Sequence, residues 1–404
     1  MRVNQDSRTL KKGEWFVAVK GERHDGHLLI NEALRRGAAG VLEVEELYAL
    51  ARKKIRSINP KIIAVTGSYG KTTTKEAIYK VLHSKMKGSR TKGNLNTPLG
   101  VALEVINGLK RHHQFFVAEV GMDRLEEIKK SCLVISPQIG VLTSVGEMHL
   151  EKLGSLERIK QAKSELLETL PPDGTAVLNL DDRSVREIAK GFAGRKIWYG
   201  FSPEASVNPS HLKGLRLKLL GKYNRYAALA AYAVGRIWGV SEEDSFQALA
   251  RLRPQKGRLN LLSGKNGAKI IDDTYNAGPR SMKMALKVLA EIPARRRIAI
   301  LGDMLELGGL EDQAHFDAVA HAFKVADVVV LRGGRMAHAL NRFRRKCGTE
   351  GNVSSVDQIK LEEGDAVLVK GSQGMRMERV VQDFLKDKTR APELLVRQDA
   401  GWVC

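Results

Sequence analysis

The residues best suited to chemistry lie in the stretch 61–76, KIIAVTGSYGKTTTKE. The apolar run Ile62–Val65 predicts a strand buried on both faces of a parallel sheet, and a glycine-containing turn follows it directly. Gly67 and Gly70 would let backbone N–H groups of this turn approach phosphate oxygens at the start of a helix. A strand, a glycine turn and a helix start together predict a phosphate-binding loop.

The side chains of the same turn suit a nucleotide and its metal ion. Lys71 would add positive charge at the β- and γ-phosphates of ATP, and Thr72 would offer its hydroxyl to Mg²⁺. The general phosphate-loop pattern has a further glycine where Val65 stands, so this loop is a shortened variant. A turn that joins a strand to a helix without any ligand is the alternative. The predicted ATP contacts in the turn are Gly67, Ser68, Tyr69, Gly70, Lys71, Thr72 and Thr73.

Polar residues also end the other predicted strands of this sheet. The apolar runs are 115–120, 139–145 and 175–180, and they lead to Glu119, His149 and Asp181-Asp182. Ligands of open α/β sheets bind at the carboxyl ends of the strands, so we expect these endings to converge on one site. Glu119 has the place expected of a Mg²⁺ ligand beside a phosphate loop, and a surface acid is the alternative.

The predicted helix over 155–170 carries a lysine in its apolar stripe. Leu156, Ile159, Leu166 and Leu170 form the stripe, and helical spacing places Lys163 within it. Because an unpaired ammonium is costly in apolar surroundings, Lys163 must extend to solvent, pair with an acid or be chemically altered. The sequence alone favours extension to solvent.

Two polar segments could bind a substrate. Ser7 and Arg8 lie on a turn before the predicted strand Trp15–Val19, although a solvated surface would look the same. The loop 91–100, TKGNLNTPLG, is too polar for a core and follows the phosphate loop by one helix.

Length and composition indicate a soluble multidomain protein. The chain has 404 residues, of which 43% are hydrophobic and 5% aromatic, and it contains no apolar run of about 18 residues. The first 15 residues lack the apolar core of a signal peptide, and the 3 cysteines lie too far apart for a disulfide framework or a zinc site. We therefore expect a cytoplasmic protein without a membrane span.

The net charge of +21 permits nucleic acid, an anionic membrane surface or polyanionic small substrates as partners. Basic residues are spread along the chain, and aromatic residues are not interleaved with them as a base-stacking surface requires. Nucleic-acid binding is therefore not expected as the main role.

The pattern of elements predicts an α/β protein of three domains. Residues 1–58 form a small α/β domain, and from Pro60 strands alternate with helices as in a parallel sheet with crossover helices. Residues 59–252 form this central domain. The segment 251–258, RLRPQKGR, looks like a hinge into a Rossmann-like third domain over 253–404, where the alternation repeats.

Many motifs, in one order over nearly the whole chain, resemble the Mur ligase family. They are DSR, DGH, TGSYGKTTTKE, TKGNLNTPLG, FFVAEVG, GEMHLEKLGS, QAKSELL, NLDD, KGR, IDDTYNAGP, LGDMLELG and VLVKGS. The resemblance implies a domain that grips a UDP-sugar peptide, a central ATPase and a mobile C-terminal domain that brings the amine. Within the family, DDTYNAGPRSM and LGDMLELG resemble the members that add D-Ala-D-Ala, and the DSR and DGH segment favours a UDP-sugar as acceptor. The resemblance therefore implies D-Ala-D-Ala as the amine and a UDP-MurNAc-tripeptide as the acceptor.

The chemistry implied by the family is amide formation through an acyl phosphate, in a monomer that uses ATP and Mg²⁺, with two metal ions. The implied metal positions are Thr72, Glu119, His149 and Lys163, the last of these as a carbamate. Lys71, His149 and Lys163 are the implied catalytic residues. Further implied nucleotide contacts are Asn224, Arg258, Asp273 and Asn276, and the implied UDP-sugar contacts are Ser7, Arg8, Asn96 and Thr97.

Three positions depart from the family pattern. Tyr223 stands where the family has histidine, and Ala227 and Gly278 stand where it has asparagine. Two rival functions remain open: a ligase of the same fold with another amino acid or acceptor, such as a folate, and a P-loop ATPase acting on nucleic acid.

Overall fold

The computed structural model describes residues 1–21, 25–93, 95–148, 150–348 and 354–398, and it is an α/β protein with three sheets. The strands are β1 (Val3–Asn4), β2 (Trp15–Val17), β3 (Gly40–Leu42), β4 (Lys61–Thr66), β5 (Gly88–Arg90), β6 (Phe115–Glu119), β7 (Ile139–Leu142), β8 (Thr175–Asn179), β9 (Arg195–Tyr199), β10 (Asn260–Ser263), β11 (Lys269–Asp273), β12 (Arg296–Gly302), β13 (Val328–Arg332) and β14 (Asp365–Lys370).

The α-helices alternate with the strands over most of the chain. They are α1 (Ile30–Arg35), α2 (Val44–Ile58), α3 (Lys71–His83), α4 (Pro98–Gly108), α5 (Glu127–Ile135), α6 (Leu150–Leu153), α7 (Leu156–Glu168), α8 (Arg183–Ala189), α9 (Asn224–Ile237), α10 (Glu242–Ala250), α11 (Pro279–Glu291), α12 (Glu311–Val325), α13 (Gly334–Cys347), α14 (Glu378–Phe384) and α15 (Ala391–Leu394). Among the described residues, no helix is both long enough and apolar enough to cross a membrane.

The N-terminal sheet is small and parallel, in the order β1-β2-β3. Its core is formed by Leu10, Phe16, Ala18 and Ala33. The strand predicted over Trp15–Val19 is confirmed as β2, although it ends at Val17.

The central sheet has six parallel strands in the order β5-β6-β4-β7-β8-β9. The four inner strands are those predicted from apolar runs, and nearly every residue in them is buried. The edge strands β5 and β9 were not predicted, because they are half exposed and carry arginine and lysine. In a parallel sheet all carboxyl ends lie at one edge, so β4, β6 and β7 present their following residues together.

The C-terminal sheet has the order β10-β11-β14-β12-β13, in which only β10 is antiparallel to its neighbour. Side chains alternate between its faces and so contribute to two apolar cores. Ile271 and Leu301 pack on the face of α11, α12 and α13, whereas Ile270 and Ile300 pack with α14 and α15. The predicted Rossmann-like alternation is thereby confirmed for the strands β11 to β14.

The chain divides into two compact units. The first comprises Met1–Val145, Glu157–Leu215 and Tyr226–Ala250, and the second comprises Gly146–Leu156, Arg216–Arg225 and the described residues from Arg251 on. Residues 217–220, which precede α9, have no strand conformation. They belong to the second unit, whereas the edge strand β9 belongs to the first.

Candidate active site

The predicted phosphate-binding loop, called the phosphate loop, joins β4 to α3, and its two glycines have conformations that favour glycine. Gly67 has φ +145°, and a Cβ there would lie 2.0 Å from Oγ1 of Thr143. Gly70 has φ +82° and caps the N-terminus of α3. The loop backbone thus runs too close to its neighbour for any side chain at position 67.

The end of β7 anchors the loop through hydrogen bonds. The backbone N–H of Ser68 donates to the carbonyl of Ser144 at 2.8 Å, and that of Tyr69 donates to the Ser144 hydroxyl at 3.0 Å. The Thr143 hydroxyl lies 2.6 Å from the Tyr69 carbonyl and 3.2 Å from that of Thr66. Thr143 and Ser144 were not predicted as site residues, although two hydroxyl residues at the end of an apolar run were a usable signal. These contacts hold the loop before any phosphate binds.

Lys71 and Thr72 open α3 beside the loop. The Lys71 ammonium lies 2.7 Å from the Gly67 carbonyl, so the cation lies over the turn whose N–H groups are suited to phosphate. Thr72 is buried, with 7% of its surface exposed, and Thr73 follows it on the first turn. A positive charge and a helix N-terminus therefore meet at the turn, as an anion site requires.

Glu119 ends β6, beside β4, where its backbone pairs with Val65. Its carboxylate is 3% exposed and accepts a hydrogen bond from Nδ2 of Asn96 at 3.2 Å. The ammonium of Lys75, itself 1% exposed, lies 3.6 Å from the other carboxylate oxygen. Lys75 was not recognised from the sequence, because its position on the inner face of α3 gives no sign of a long-range acid partner. The buried carboxylate is therefore balanced by a cation and oriented by an amide.

Lys163 is buried in α7, with 2% of its surface exposed, and its Nζ lies 3.5 Å from Oγ1 of Thr66. Extension to solvent, which the sequence alone favoured, is therefore wrong. Burial, and secondarily the charge of Lys71, lower the pKa of Lys163 well below its ordinary value, although Glu165 and Glu119 act in the opposite direction. The Lys163 amine is thus driven toward its neutral form close to the phosphate loop.

The four residues implied at the UDP-sugar occupy two places in the first unit. Ser7 is buried on the turn after β1, and the exposed Arg8 forms an ion pair with Asp6 at 2.8 Å. Asn96 lies beside Glu119, and the Thr97 hydroxyl accepts the backbone N–H of Gly100 at the start of α4. Asn96 is thereby brought to the carboxyl edge of the central sheet, while the Thr97 side chain caps α4.

The residues implied at the nucleotide after position 220 belong to the second unit. Asp273 ends β11, and its Oδ2 lies 2.6 Å from the buried ammonium of Lys370 at the end of β14. Lys370 also donates to the Asn276 carbonyl at 2.8 Å. Lys370 therefore holds Asp273 and Asn276 together at the carboxyl edge of the C-terminal sheet.

Arg258 and Asn224 are also held by near neighbours. The Arg258 guanidinium lies 3.9 Å from the centre of the Tyr275 ring, within the range of a cation–π contact. Nδ2 of Asn224 donates to the Leu220 carbonyl at 2.6 Å at the start of α9. Ala227, which stands where the family has asparagine, also lies in α9 and is 3% exposed. It belongs to the first unit.

A divalent metal ion fits the oxygen donors near the phosphate loop. Within the described ranges no three His, Cys, Asp or Glu side chains lie close enough together to form a metal site of their own, and the predicted ligand His149 lies outside those ranges. Thr72 and Glu119 offer a hydroxyl and a carboxylate. Mg²⁺ prefers such hard oxygen ligands and usually takes few of them from the protein when substrate phosphates complete its shell.

Two family models match the chain. The Mur ligase middle domain matches residues 65–235, and the Mur ligase, glutamate ligase domain matches residues 257–373. UDP-N-acetylmuramoyl-tripeptide--D-alanyl-D-alanine ligase of Bacillus subtilis is 30% identical over 95% of this chain and 93% of its own length. The enzyme of the same name from Escherichia coli is 30% identical over 96% of this chain and 94% of its own.

Solved structures of similar proteins have the same fold. MurF from Acinetobacter baumannii has a TM-score of 0.84 at 28% identity, over 96% of this chain and 93% of its own. MurF ligase from Thermotoga maritima in complex with ADP has a TM-score of 0.80 at 27% identity, over 97% of this chain and 98% of its own. With a phosphate loop, a buried acid and a buried lysine at one sheet edge, and with relatives matched from end to end, the chain belongs to the Mur ligase family.

Proposed function

We propose that this protein is an ATP-dependent ligase of cytoplasmic peptidoglycan precursor synthesis that joins D-Ala-D-Ala to a UDP-MurNAc-tripeptide. The observation that carries the proposal is the convergence of the phosphate loop, Glu119 and the buried Lys163 at the carboxyl edge of the central sheet. The end-to-end similarity to ligases of that name supports the choice of substrates. We also propose that the protein is a monomer with three domains, which comprise residues 1–58, 59–252 and 253–404.

The reaction proceeds in two steps. A terminal carboxylate oxygen of the peptide attacks the γ-phosphorus of ATP, the bond to the bridging oxygen breaks, and ADP leaves. The amine nitrogen of D-Ala-D-Ala then attacks the acyl carbon, loses a proton and expels phosphate as the amide forms. ATP is needed because a carboxylate is a poor electrophile and an acyl phosphate is a good one.

The phosphate loop binds and orients ATP for the first step. Backbone N–H groups from Gly70 to Thr73, at the start of α3, would bind the phosphates, because those of Ser68 and Tyr69 donate to Ser144. We expect the Lys71 ammonium to turn from the Gly67 carbonyl to the β- and γ-phosphate oxygens. In the second unit Asn224, Arg258, Asp273 and Asn276 add nucleotide contacts.

Thr72, Glu119 and Lys163 would hold Mg²⁺, together with His149. When bound, Mg²⁺ neutralises negative charge on the transferring phosphoryl group. A neutral Lys163 amine can add CO₂ and release a proton, which gives a carbamate and turns a buried cation into an oxygen ligand. Ser7, Arg8, Asn96 and Thr97 orient the UDP-sugar end of the acceptor.

A product assay tests the proposal. The protein is incubated with ATP, Mg²⁺ and a panel of UDP-muramoyl peptides and dipeptides, and products are identified by mass. We expect phosphate release only when acceptor and amine are both present, with UDP-MurNAc-tripeptide and D-Ala-D-Ala preferred. Phosphate release that ignores both would contradict a ligase, and a preference for another pair would retain the ligase and replace its substrates.

Two variants of α3 make the assay specific for the site. Lys71→Ala should abolish product formation because it removes the phosphate-facing cation. Lys80→Ala is the matched control, since Lys80 is an exposed lysine of the same helix. Equal activity in the two variants would contradict the assignment of Lys71.

A further inference from the structure

The terminal segment, residues 391–398, is packed into the C-terminal core. Ala391 and Leu395 are each 1% exposed and belong to the apolar cluster on the α14 side of the sheet. Lys256, in the predicted hinge segment, donates to the Pro392 carbonyl at 2.9 Å. The terminal segment is therefore fixed against the residues that precede Arg258.

Arg397 extends from this segment beneath the loop that follows β11. Its side chain is 5% exposed, and its guanidinium donates to the carbonyls of Thr274 and Tyr275, the latter at 3.2 Å. It also forms an ion pair with Glu378 at 2.7 Å. One planar, multi-donor group thus joins the terminal segment, the loop and α14, and lysine cannot reproduce that geometry.

The charge of Arg397 is matched inside the protein. Glu378 is fully buried, and Nε of Arg376 donates to its second oxygen at 2.6 Å. Burial acts to raise the pKa of Glu378, but the hydrogen bonds from Arg397 and Arg376 outweigh it and lower this pKa below its usual value. Removing Arg397 would therefore leave a buried carboxylate with one of its two partners and two loop carbonyls without their donor.

The loop held by Arg397 carries Tyr275, which packs against the segment of Arg258. The Tyr275 backbone N–H donates to the Gly257 carbonyl at 2.9 Å. At Gly257, where φ is +67°, a Cβ would lie 2.9 Å from the Tyr275 nitrogen and 3.2 Å from Cγ1 of Val396. The Tyr275 ring in turn lies under the Arg258 guanidinium. Three segments distant in sequence thus meet around Tyr275.

We infer that Arg397 is a positioning residue that fixes the Thr274–Asn276 loop, and through Tyr275 also Arg258, in the conformation that binds the nucleotide. The inference rests on the proposed function, in which Arg258 and Asn276 contact ATP. The Arg397 guanidinium donates to two successive carbonyls and so restricts the backbone that positions Asn276 and, through Tyr275, Arg258. The terminal segment is thereby part of the nucleotide site without touching the nucleotide.

Nucleotide affinity of full-length variants tests this inference. By titration calorimetry with ADP, Arg397→Gln should weaken binding about tenfold, the equivalent of one strong hydrogen bond. Arg397→Lys keeps the charge beside Glu378 but cannot bridge both carbonyls, so its melting temperature should stay near that of wild type while its affinity falls. Arg390→Gln is the control, because it breaks only an exposed ion pair between Arg390, just before the terminal segment, and Glu393 within it. In turnover, KM for ATP should rise with little change in kcat.

A double-mutant cycle separates positioning from general stability. If Arg397 acts through Tyr275 and Arg258, then Arg397→Gln should weaken ADP binding far less in an Arg258→Gln background than in wild type. Equal losses in both backgrounds, or a lower melting temperature with unchanged ADP affinity, would overturn the inference. If Arg397→Gln does not fold, the ADP affinity of Arg397→Lys tests the inference instead, and wild-type affinity in that variant would overturn it. Wild-type protein that fails to bind ADP would instead contradict the proposed function.

Discussion

At the residue scale, Lys163 is the position where the environment most changes the chemistry of a side chain. A lysine ammonium that is 2% exposed has lost most of its hydration, and Lys71 lies near enough to oppose its charge. Both effects lower the pKa of Lys163 and so favour the neutral amine. The position of Lys163 in an apolar stripe thus supports the carbamate proposed for it.

Lys163→Ala should lower turnover by about 100-fold, as loss of a group that supports a metal site does, while far-ultraviolet circular dichroism stays unchanged. Small carboxylic acids should partly restore activity by standing in for the carbamate. Lys160→Ala is the matched control, because Lys160 lies on the same helix and pairs with Glu157 and Glu187 near the surface. Full activity of Lys163→Ala without added acid would show that no carbamate is needed.

At the element scale, the loop between β4 and α3 depends on backbone positions as much as on side chains. Gly67 approaches Thr143 so closely that no Cβ fits, whereas many other glycines have only a positive φ. The distinction matters because placing alanine at a positive φ lowers the free energy of unfolding by only about 1 kcal/mol. A Cβ that clashes with Thr143 would instead displace the loop.

Gly67→Ala should therefore abolish ATP binding, as measured by titration calorimetry, while the protein remains folded. Gly13→Ala is the matched control, since Gly13 has φ +85° with no other atom within 4 Å of a Cβ placed there. We expect the control to lose some stability and retain nucleotide affinity. Wild-type affinity in Gly67→Ala would mean that the loop does not contact the phosphates.

A second element-scale feature is the link that His27 makes between a single-turn helix and α2. Its Nδ1 lies 2.6 Å from Asp25 and its Nε2 lies 3.1 Å from Glu43, the N-cap of α2. Hydrogen bonds to these two carboxylates raise the pKa of His27 above 6.5. For a histidine with a raised pKa, the added stability is present below the unfolded value and is lost as pH rises through the folded value.

His27→Gln should accordingly flatten the pH dependence of the melting temperature. Between about pH 6 and about pH 9 the wild type should lose more thermal stability than the variant, and the two should converge at the alkaline end. His338→Gln, at an exposed position, should behave as wild type. Parallel curves for wild type and His27→Gln would show that the two carboxylates do not hold the imidazolium.

At the scale of the whole molecule, the basic residues behind the net charge of +21 are not concentrated in one stretch of the sequence. Basic residues are spread over both compact units, and aromatic residues make up only 5% of the chain. Such a distribution suits anionic small substrates, and it favours weak, salt-dependent attraction to any polyanion.

We therefore expect DNA and RNA to leave the rate of ATP hydrolysis unchanged at physiological salt. Under the same conditions, UDP-MurNAc-tripeptide and D-Ala-D-Ala together should raise phosphate release. Binding of nucleic acid at low salt would be nonspecific and should vanish as salt increases. Stimulation of hydrolysis by nucleic acid at physiological salt would favour the rival ATPase.

The sequence by itself determined the elements whose signals are local. The inner strands β4, β6, β7 and β8 were predicted because a strand buried on both faces must be a short apolar run. The phosphate loop was predicted because its glycines and Lys71 act within a few residues of one another. The edge strands β5, β9 and β10 were missed, since a half-exposed strand depends on a partner rather than on its own composition.

Only the tertiary structure decided which distant side chains meet. Helical spacing marked Lys163 as unusual, but only the folded position of α7 shows that its side chain is buried near Thr66 instead of reaching solvent. The pairing of Lys75 with Glu119 and the contact of Arg397 with Tyr275 join residues far apart in the chain. Such contacts arise when strands and loops are brought to one edge of a sheet, and no local pattern of residue types encodes them.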